Sequence, residues 1–475
     1  MTARAYDKAA RGGDPEPTGS GAGWLMLGLL TAVEFLVFLD LAIVNIALPS
    51  MQADLDLSPS EIAWVIGAYQ IFFGGFLLLG GRAGDVVGHR RVYLTGLLLF
   101  TGASATAGLA GSGDVVIAAR ALQGLGAAAL VPSALALLNS AYRGTARHGR
   151  AFGVWGAMRS AGASAGVAIG GIVTQLAGWP WIFLINVPIG LGVLIVAWRV
   201  LPAGPVQAGR HLDAAGAVTV TGGVLLVALV LGEGSSPFWT SPGRTALLLV
   251  GIALLAALPL VERRRADPLL PVRLLRDRLT VTANVVSFLV GAAHLALFYL
   301  LSLYLQEALG YTPLQAGFAV LPIGLVVVAN STLVVSRVLS AWGPRRLLIS
   351  GMGLLAAALL WLGTSPFGSD YLVGILPAGL LTGLGLPAAF VGVTVLALDA
   401  GGKRDAGVAS ALVNTTQRLG GGLGAALATA VAVTGPSVGF TEPGLRHGFL
   451  VAAALAAAGA LVAWAAIPRT LSPSA

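Results

Sequence analysis

Six ionisable side chains stand inside stretches that are otherwise apolar, where a charge is costly unless it is paired or hydrated. They are Glu34, Asp40, Arg120, Arg159, His294 and Arg418. Carboxylates and imidazoles take up and release protons, whereas guanidinium groups bind anions or stabilise a carboxylate. We therefore expect these residues to carry the chemistry of the chain, either as proton carriers or as groups that bind a small molecule.

The composition identifies the elements that must position these side chains. Hydrophobic residues make up 56% of the 475 residues and charged residues only 10%, too little polar surface for a protein that dissolves in water. Strand-like alternation is not seen, so the sequence predicts an all-α integral membrane protein. Fourteen segments have the roughly 20 apolar residues that cross a bilayer, near 24–48, 61–80, 92–111, 115–139, 150–174, 181–199, 214–232, 245–261, 280–304, 313–336, 346–364, 371–397, 406–432 and 448–467.

The positive charges fall in alternate gaps between these spans. Of the 28 Lys and Arg residues, 23 lie in the gaps that share a side with the N-terminus, and only Arg244 and Arg446 lie in the opposite gaps. The positive-inside rule then predicts that both termini are cytoplasmic. Because the net charge of +8 is loop charge, we expect no nucleic-acid partner.

Two residue patterns that occur twice in the sequence indicate a duplicated unit. The Arg, Gly and Arg-Arg spacing of Gly81–Arg91 returns 255 residues later in Ser336–Arg346, and Gly162-x-x-x-Gly166 returns as Gly420-x-x-x-Gly424. Repeated halves are how many secondary transporters build a central site that opens alternately to each side. The predicted organisation is a disordered cytoplasmic tail 1–23, an N-terminal six-helix half 24–200, a linker 201–278 with spans 7 and 8, a C-terminal six-helix half 279–468 and a cytoplasmic tail 469–475.

Five longer strings resemble the motifs of one membrane protein family, the fourteen-helix drug:proton antiporters of the major facilitator superfamily. They are Leu39–Pro49 at the end of span 1, the Gly81–Arg91 loop, Arg120–Gly126 in span 4, Trp179–Gly190 and Tyr304–Pro313. The resemblance implies the major-facilitator fold, with two six-helix halves plus two extra central helices. It also implies proton-coupled efflux of small drug-like or antibiotic-like molecules across the cytoplasmic membrane by alternating access.

Two departures from the family pattern keep other functions open. Span 5 has Gly166-Val167 before Gly170-Gly171, where the antiporter motif normally carries a Gly-Pro that breaks the helix. Span 13 has Gln417-Arg418 where the order Arg-Gln is usual. A proton symporter or uniporter for a small metabolite is therefore the alternative, and a non-transporting membrane sensor is the second alternative.

Asp40 and Arg120 are the predicted centre of proton coupling. With about 1.5 Å of rise per residue, Asp40 lies roughly 24 Å from the cytoplasmic start of span 1 and Arg120 roughly 8 Å below the outer start of span 4. Both then lie in the outer half of the membrane, where they can meet. Our hypothesis is that Asp40 takes up and releases the proton while Arg120 favours its ionised form. The alternative is a static ion pair that fixes span 1 against span 4.

Glu34, Arg159 and Arg418 are predicted to line one cavity, since they fall roughly 15, 14 and 18 Å from the inner face. Glu34 is expected to compensate Arg159 and to contribute to proton coupling. Such a cavity suits a simple lipophilic cation less well than one lined by acids alone, which leaves neutral, zwitterionic and anionic substrates open. The alternative is that each arginine only binds backbone carbonyls or polar neighbours. The remaining predicted cavity residues are Gln123, Asn414 and His294, of which His294 is also a weaker candidate for carrying a proton.

Glycine-rich segments and one loop are predicted to control conformational change. Small residues let helices approach closely and slide, which we expect of Gly166, Gly170 and Gly171 in span 5. The resemblance implies that the loop after span 2 latches the cytoplasmic side, and Asp85 is expected to cap the third helix. The loop residues concerned are Gly81, Arg82, Gly84, Asp85, Gly88, Arg90 and Arg91.

The sequence offers no candidate for a cofactor or a reaction. It contains no cysteine, no histidine spacing typical of a metal site and no phosphate-binding G-x-x-x-x-G-K-[ST] loop. We therefore expect a secondary active transporter without a cofactor or metal, not an enzyme. Its expected partners are a small-molecule substrate, protons and the lipid bilayer, and we expect a monomer in a bacterial cytoplasmic membrane.

Overall fold

The computed structural model of the chain is built from helices. It describes residues 20–142, 145, 147–202, 214–232, 241–263, 274, 276–366, 368, 370–433 and 440–468, and within these ranges there is no strand. The predicted tail 469–475 and residues 1–19 of the N-terminal tail lie outside the described residues, as do most residues of the two linkers that flank spans 7 and 8.

A helix covers each predicted span. The N-terminal half comprises α1 (Ser20–Leu55), α2 (Pro59–Val87), α3 (His89–Gly108), α4 (Gly113–Tyr142), α5 (His148–Ala177), α6 (Pro180–Leu184) and α7 (Asn186–Val200). The inserted pair is α8 (Ala214–Gly232) and α9 (Pro242–Arg263). The C-terminal half comprises α10 (Arg278–Leu303), a π-helical turn (Tyr304–Ala308), α11 (Pro313–Leu333), α12 (Val335–Thr364), α13 (Tyr371–Gly374), α14 (Leu376–Ala432) and α15 (Glu442–Ala466).

These helices confirm the predicted all-α integral membrane class. In the described part of the chain, ten helical segments are long and apolar enough to cross a membrane, and α8 and α9 contain shorter apolar stretches. Helix α5 runs without a proline, as its sequence predicts. The protein is therefore a multi-pass membrane protein.

Helix α14 is 57 residues long and contains both span 12 and span 13. Just before its start, Val373 accepts a hydrogen bond of 3.1 Å from Trp361 at the end of α12. At its other end, Ala432 packs against Gly444 at the start of α15, and this start also packs against the end of α12. Since both ends of α14 lie at the same end of the bundle, its two arms are separate spans.

Corresponding positions of the two halves have the same conformation, which supports the predicted duplication. Gly88 and Gly343, 255 residues apart, have φ angles of 102° and 76°, a region that favours glycine. The arginines two residues later both bind the last helix of their half. Arg90 Nη2 donates to Trp198 O at 2.5 Å, and Arg345 Nε donates to Ile467 O at 2.9 Å.

The prediction that Asp85 caps the third helix is wrong. The residue at the N-cap of α3 is Gly88, because α2 continues through Val87 before the chain leaves helical geometry. Asp85 belongs to the last turn of α2, where its carboxylate lies 3.3 Å from the imidazole of His89.

The inserted pair packs beside both halves. Gly223 of α8 and Gly251 of α9 lie against each other's helix, which closes the pair. Val224 and Ala228 of α8 form a small apolar core with Ile71 of α2 and with α14. The pair therefore lies along the seam where α2 and the second arm of α14 meet.

The two halves close on each other at one end of the bundle. Ser302 Oγ donates to Asn45 O at 2.5 Å, and Gln306 Nε2 donates to Ile46 O at 2.9 Å. Gly171 of α5 lies so close to α11 that a Cβ there would be 2.7 Å from Pro313 O. At the other end of α5, a Cβ at Gly149, Gly153 or Gly156 would meet no atom within 4 Å. The described helices therefore leave this second end, which carries the arginine-rich loops, more open.

Cysteine labelling tests the predicted orientation, because the chain has no cysteine of its own. Ser112 lies between α3 and α4 at the closed end, and Gly149 lies at the start of α5 at the open end, and both are exposed. In intact cells, a membrane-impermeant maleimide should label Ser112→Cys and not Gly149→Cys, and both should react after permeabilisation. Labelling of Gly149→Cys alone in intact cells would show that the orientation is the opposite of the predicted one.

Candidate functional site

Asp40 lies at the centre of a closed polar network inside the N-terminal half. Its Oδ2 accepts a hydrogen bond of 2.6 Å from Arg120 Nη1. Its Oδ1 accepts from Gln123 Nε2 at 3.2 Å and from Asn186 Nδ2 at 2.9 Å. All four side chains are fully buried, at 0% exposure. Both carboxylate oxygens therefore act as acceptors, the arrangement of an ionised aspartate.

Arg120 is held by more than its ion pair. Its Nε donates to the carbonyl of Val65 at 3.0 Å, and Nη1 also donates to Gln123 Oε1 at 2.9 Å. Its guanidinium carbon stands 4.2 Å from the ring centroid of Tyr69, a cation–π distance. Since partners surround the charge on several sides, α4 can hold a guanidinium among apolar helices.

Three residues of this network were not singled out by the sequence. Ser104 of α3 accepts from Gln123 Nε2 at 2.6 Å, and Tyr69 stacks on Arg120. Asn186 is the first residue of α7, directly after a break in the helix at Ile185. Pro188 explains this break, because it has no N–H to donate to the carbonyl of Leu184. A lone amide inside an apolar stretch is the sequence signal that could have identified Asn186.

Glu34, Arg159 and Arg418 come together around one aromatic ring, as the sequence predicts. Arg159 Nε lies 3.9 Å from Glu34 Oε1, and the guanidinium carbons of Arg159 and Arg418 lie 4.3 and 5.2 Å from the ring centroid of Phe38. Glu34 is 2% exposed, whereas the Arg159 side chain is 39% exposed. The three charges thus stand where α1, α5 and the second arm of α14 meet, and the side of Arg159 is open.

Arg418 also contacts α2, on the side away from α1. Its Nη1 donates to Gln70 Oε1 at 3.2 Å, and its guanidinium carbon stands 4.2 Å from the ring centroid of Phe73. A Cβ at Gly74 would be 2.7 Å from Arg418 Cβ, so glycine is what allows the two helices to approach this closely. Gln70 is a polar neighbour of the kind that the alternative interpretation of the arginines names.

Helix α2 connects the two charged clusters. Tyr69 stacks on Arg120, Phe73 stacks on Arg418, and the two rings make an edge-to-face contact with centroids 5.8 Å apart. The Tyr69 hydroxyl is buried, has no hydrogen-bond partner among the described residues, and lies within electrostatic range of Asp40 and of Glu34. A shift of α2 would therefore change the contacts of the arginines in both clusters.

The three other predicted cavity residues have different surroundings from one another. Gln123 belongs to the Asp40 network and not to the open cluster of Glu34, Arg159 and Arg418. Asn414 Nδ2 donates to the carbonyl of Ser410, one turn earlier on its own helix, at 2.9 Å. His294 is half-buried between two phenyl rings, with centroid distances of 5.3 Å to both Phe298 and Phe390.

The predicted gating glycines make close helix contacts. In α5, a Cβ at Gly166 would be 2.7 Å from Leu39 O, and one at Gly170 would be 3.1 Å from Ile43 O. Both contacts are on α1 beside Asp40, whereas Gly171 faces α11 of the other half. Most of the predicted loop after span 2 is helical, because α2 continues through Val87 and α3 begins at His89. At the end of α2, Gly81 faces Pro132 of α4 and Gly84 faces His89. Arg82 of α2 is half-buried and Arg91 of α3 is exposed.

A double-mutant cycle tests whether Asp40 and Arg120 form one energetic unit. Arg120→Gln should lower the free energy of unfolding by about 3–5 kcal/mol, because it leaves Asp40 buried and without its cation. Adding Asp40→Asn should restore about 0.5–3 kcal/mol of this loss. The measurement is SDS-induced unfolding in mixed micelles. Arg278→Gln, at an exposed arginine at the start of α10, is the control and should change stability by less than about 0.5 kcal/mol. Additive losses would contradict the pairing.

Comparison with known proteins gives the family of this fold and site. The family model described as "Major Facilitator Superfamily" matches residues 30–425. The chain is 37% identical to the puromycin resistance protein pur8 of Streptomyces alboniger, over 97% of this chain and 93% of that protein. It is 36% identical to the cephamycin export protein CmcT of Amycolatopsis lactamdurans, over 89% and 87%. It is 31% identical to the lincomycin resistance protein of Streptomyces lincolnensis, over 99% and 94%.

Solved structures share the fold at low sequence identity. A peptide transporter POT in complex with sulfate has a TM-score of 0.69 at 16% identity, over 94% of this chain and 96% of that one. A D-xylose-proton symporter has a TM-score of 0.66 at 14% identity, over 94% and 98%. From the family match, the relatives and this fold, we conclude that the chain is a membrane transporter that belongs to the Major Facilitator Superfamily.

Proposed function

We propose that this transporter exports small drug-like or antibiotic-like molecules in exchange for protons, by alternating access. The observation that carries the proposal is the buried Asp40–Arg120 network, which holds an acid and its cation among apolar helices beside the seam between the halves. The relatives named for puromycin resistance, cephamycin export and lincomycin resistance support the class of substrate.

Asp40 is the proposed site of proton exchange. In this conformation it accepts three hydrogen bonds, one of which is the ion pair with Arg120, so protonation would have to displace Arg120, Gln123 or Asn186 from an oxygen. A proton bound to Asp40 removes its charge and leaves Arg120 without its counter-ion. Binding of a proton and rearrangement of α1 against α4 are therefore coupled.

Substrate binding is proposed at the open cluster of Glu34, Arg159 and Arg418. Glu34 is six residues before Asp40 on α1, about 9 Å along the helix axis. Helix α2 contacts both places through Tyr69 and Phe73. Occupation of the cluster can thus change the position of α2 and, through Tyr69, the surroundings of Arg120, while Glu34 is a second proposed proton site.

The conformation fits the proposed cycle. The halves are closed at the end of Asn45 and Ile46, and the other end, which the distribution of charge predicts to be cytoplasmic, is more open. An exporter loads its substrate from the cytoplasm in such a state, with Asp40 ionised after it has released its proton. We propose that the protein works as a monomer in a bacterial cytoplasmic membrane with both termini in the cytoplasm.

One observation favours the second candidate, a proton symporter or uniporter for a small metabolite. Helix α5 is continuous from His148 to Ala177 and contains no proline, so it has no break at the position where the antiporter motif places one. The direction of proton flow decides between the two candidates. In proteoliposomes, an antiporter acidifies one side while substrate leaves it, and a symporter moves both in the same direction.

Removal of the exchangeable proton at Asp40 tests the proposal. In everted membrane vesicles energised with a pH gradient, Asp40→Asn should reduce uptake of puromycin, cephamycin or lincomycin to the background level, because the amide carries no exchangeable acid proton. The matched control is Asp399→Asn, at an exposed aspartate of α14. Gradient-driven uptake that persists in Asp40→Asn at the wild-type rate would overturn the assignment of Asp40.

A further inference from the structure

Arg418 is a buried guanidinium with few partners. It is 8% exposed, and the single hydrogen bond that it makes to the described residues is the 3.2 Å contact with Gln70 Oε1. Among the ion pairs found within the described residues, none includes Arg418. Its other N–H groups are not fully enclosed by the described residues and keep some accessible surface. A charge at this depth requires either a counter-ion or water.

The carboxylate whose charge acts on Arg418 already has another partner. Glu34 is within electrostatic range of Arg418, but its Oε1 lies 3.9 Å from Arg159 Nε. Asp40 is bound to Arg120 at 2.6 Å. The open cluster therefore contains two guanidinium groups and one carboxylate, which gives it a net positive charge.

Aromatic rings surround this positive charge. Phe38 and Phe73 lie beneath the guanidinium of Arg418, at centroid distances of 5.2 and 4.2 Å. Near it, His294 stands edge-on to Phe298 and Phe390, within electrostatic range of both arginines. Flat apolar rings bind planar, apolar parts of a ligand, whereas guanidinium groups bind carboxylates through paired hydrogen bonds.

We propose that the substrate is an organic anion, an aromatic or otherwise planar molecule with a carboxylate, and that Arg418 binds this carboxylate with Arg159 as the second donor. This proposal rests on the proposed transport function and specifies its substrate class. A lipophilic cation would meet two like charges and a carboxylate that is already paired, which disfavours it.

The proposal also changes the role of Glu34. An ionised Glu34 competes with the substrate carboxylate for Arg159, since both are acceptors for the same donors. A proton on Glu34 therefore strengthens the binding of an anion. Antiport requires the opposite, because the proton and the substrate must weaken each other's binding. With an anionic substrate, Asp40 alone remains the proton-exchange site, and Glu34 balances the charge of Arg159 in the empty cavity.

Two matched fluorescent probes test this charge selectivity. They are 7-(diethylamino)coumarin-3-carboxylate and its 3-carboxamide, which have the same ring system and differ in the acid group. Binding is measured by fluorescence anisotropy with the full-length protein in nanodiscs, after subtraction of the signal from empty nanodiscs. Wild type should bind the carboxylate at least about tenfold more tightly than the carboxamide, the difference expected when hydrogen bonds to a charged group are lost.

Variants assign the selectivity to individual residues. Arg418→Gln should weaken carboxylate binding about tenfold or more and leave carboxamide binding within about twofold, whereas Arg418→Lys should retain part of the preference. Glu34→Gln should strengthen carboxylate binding. The control is Arg278→Gln, outside the cluster, which should match wild type. Circular dichroism and size-exclusion profiles identify variants that fail to fold, and for these Arg418→Lys and Glu34→Gln carry the test.

The outcomes separate this proposal from the proposed function. Equal affinity for both probes in wild type, or an undiminished preference in Arg418→Gln, would overturn the anionic substrate. If such a protein still exported a drug in an Asp40-dependent manner, proton-coupled efflux would stand with a different substrate class. A carboxylate preference in a protein that shows no Asp40-dependent transport would instead refute the coupling and keep the binding site.

Discussion

The structure depends on how a full negative charge is kept inside a membrane. The buried carboxylate of Asp40 is stabilised by hydrogen bonds from Arg120, Gln123 and Asn186, which belong to two other helices. Replacing the charge pair with apolar residues would often be neutral or stabilising for a fold, so stability alone does not explain it. In the proposed cycle, one proton on Asp40 neutralises the carboxylate of the pair, which would give the bundle two states with different helix contacts.

Helix α2 links the Asp40–Arg120 pair to the C-terminal half of the bundle. It belongs to the N-terminal half, yet its side chains Gln70 and Phe73 hold Arg418 of the C-terminal half. One turn before Phe73, Tyr69 of the same helix stacks on Arg120. Glycines at the contacts between helices let α2 and α14 approach without intervening side chains, so a small movement of one changes the position of the other. The inserted pair α8 and α9 lies along the same seam and adds apolar contacts to both helices.

Much of this arrangement could be predicted from the sequence, for physical reasons. Apolar length fixes the spans, and the cost of a charge in lipid made Asp40, Arg120, Glu34, Arg159 and Arg418 conspicuous. Helical rise then placed each at a depth, which was enough to pair Asp40 with Arg120 and Glu34 with Arg159. The duplicated loop correctly indicated two halves with equivalent glycines and arginines.

What the sequence could not supply was the rotation of each helix about its axis. Gln123 was predicted to line the cavity, whereas the rotation of α4 turns it toward Asp40. For the same reason the sequence did not identify Tyr69. A tyrosine in an apolar span is common, and only the structure shows that its ring stacks on the buried Arg120. Asp85 was misplaced by one turn because the glycine with positive φ, not the carboxylate, decides where α2 ends.

The central claim is that Asp40 exchanges a proton for the substrate. It is tested most directly by measuring proton release on substrate binding, with purified protein in weakly buffered detergent solution and a pH-sensitive dye. In the wild-type molecules that still carry the proton on Asp40 before the addition, a saturating substrate should release up to about one proton each, because linkage between two competing ligands is reciprocal, and Asp40→Asn should release none. Equal release from the two proteins, at equal substrate occupancy, would contradict the account.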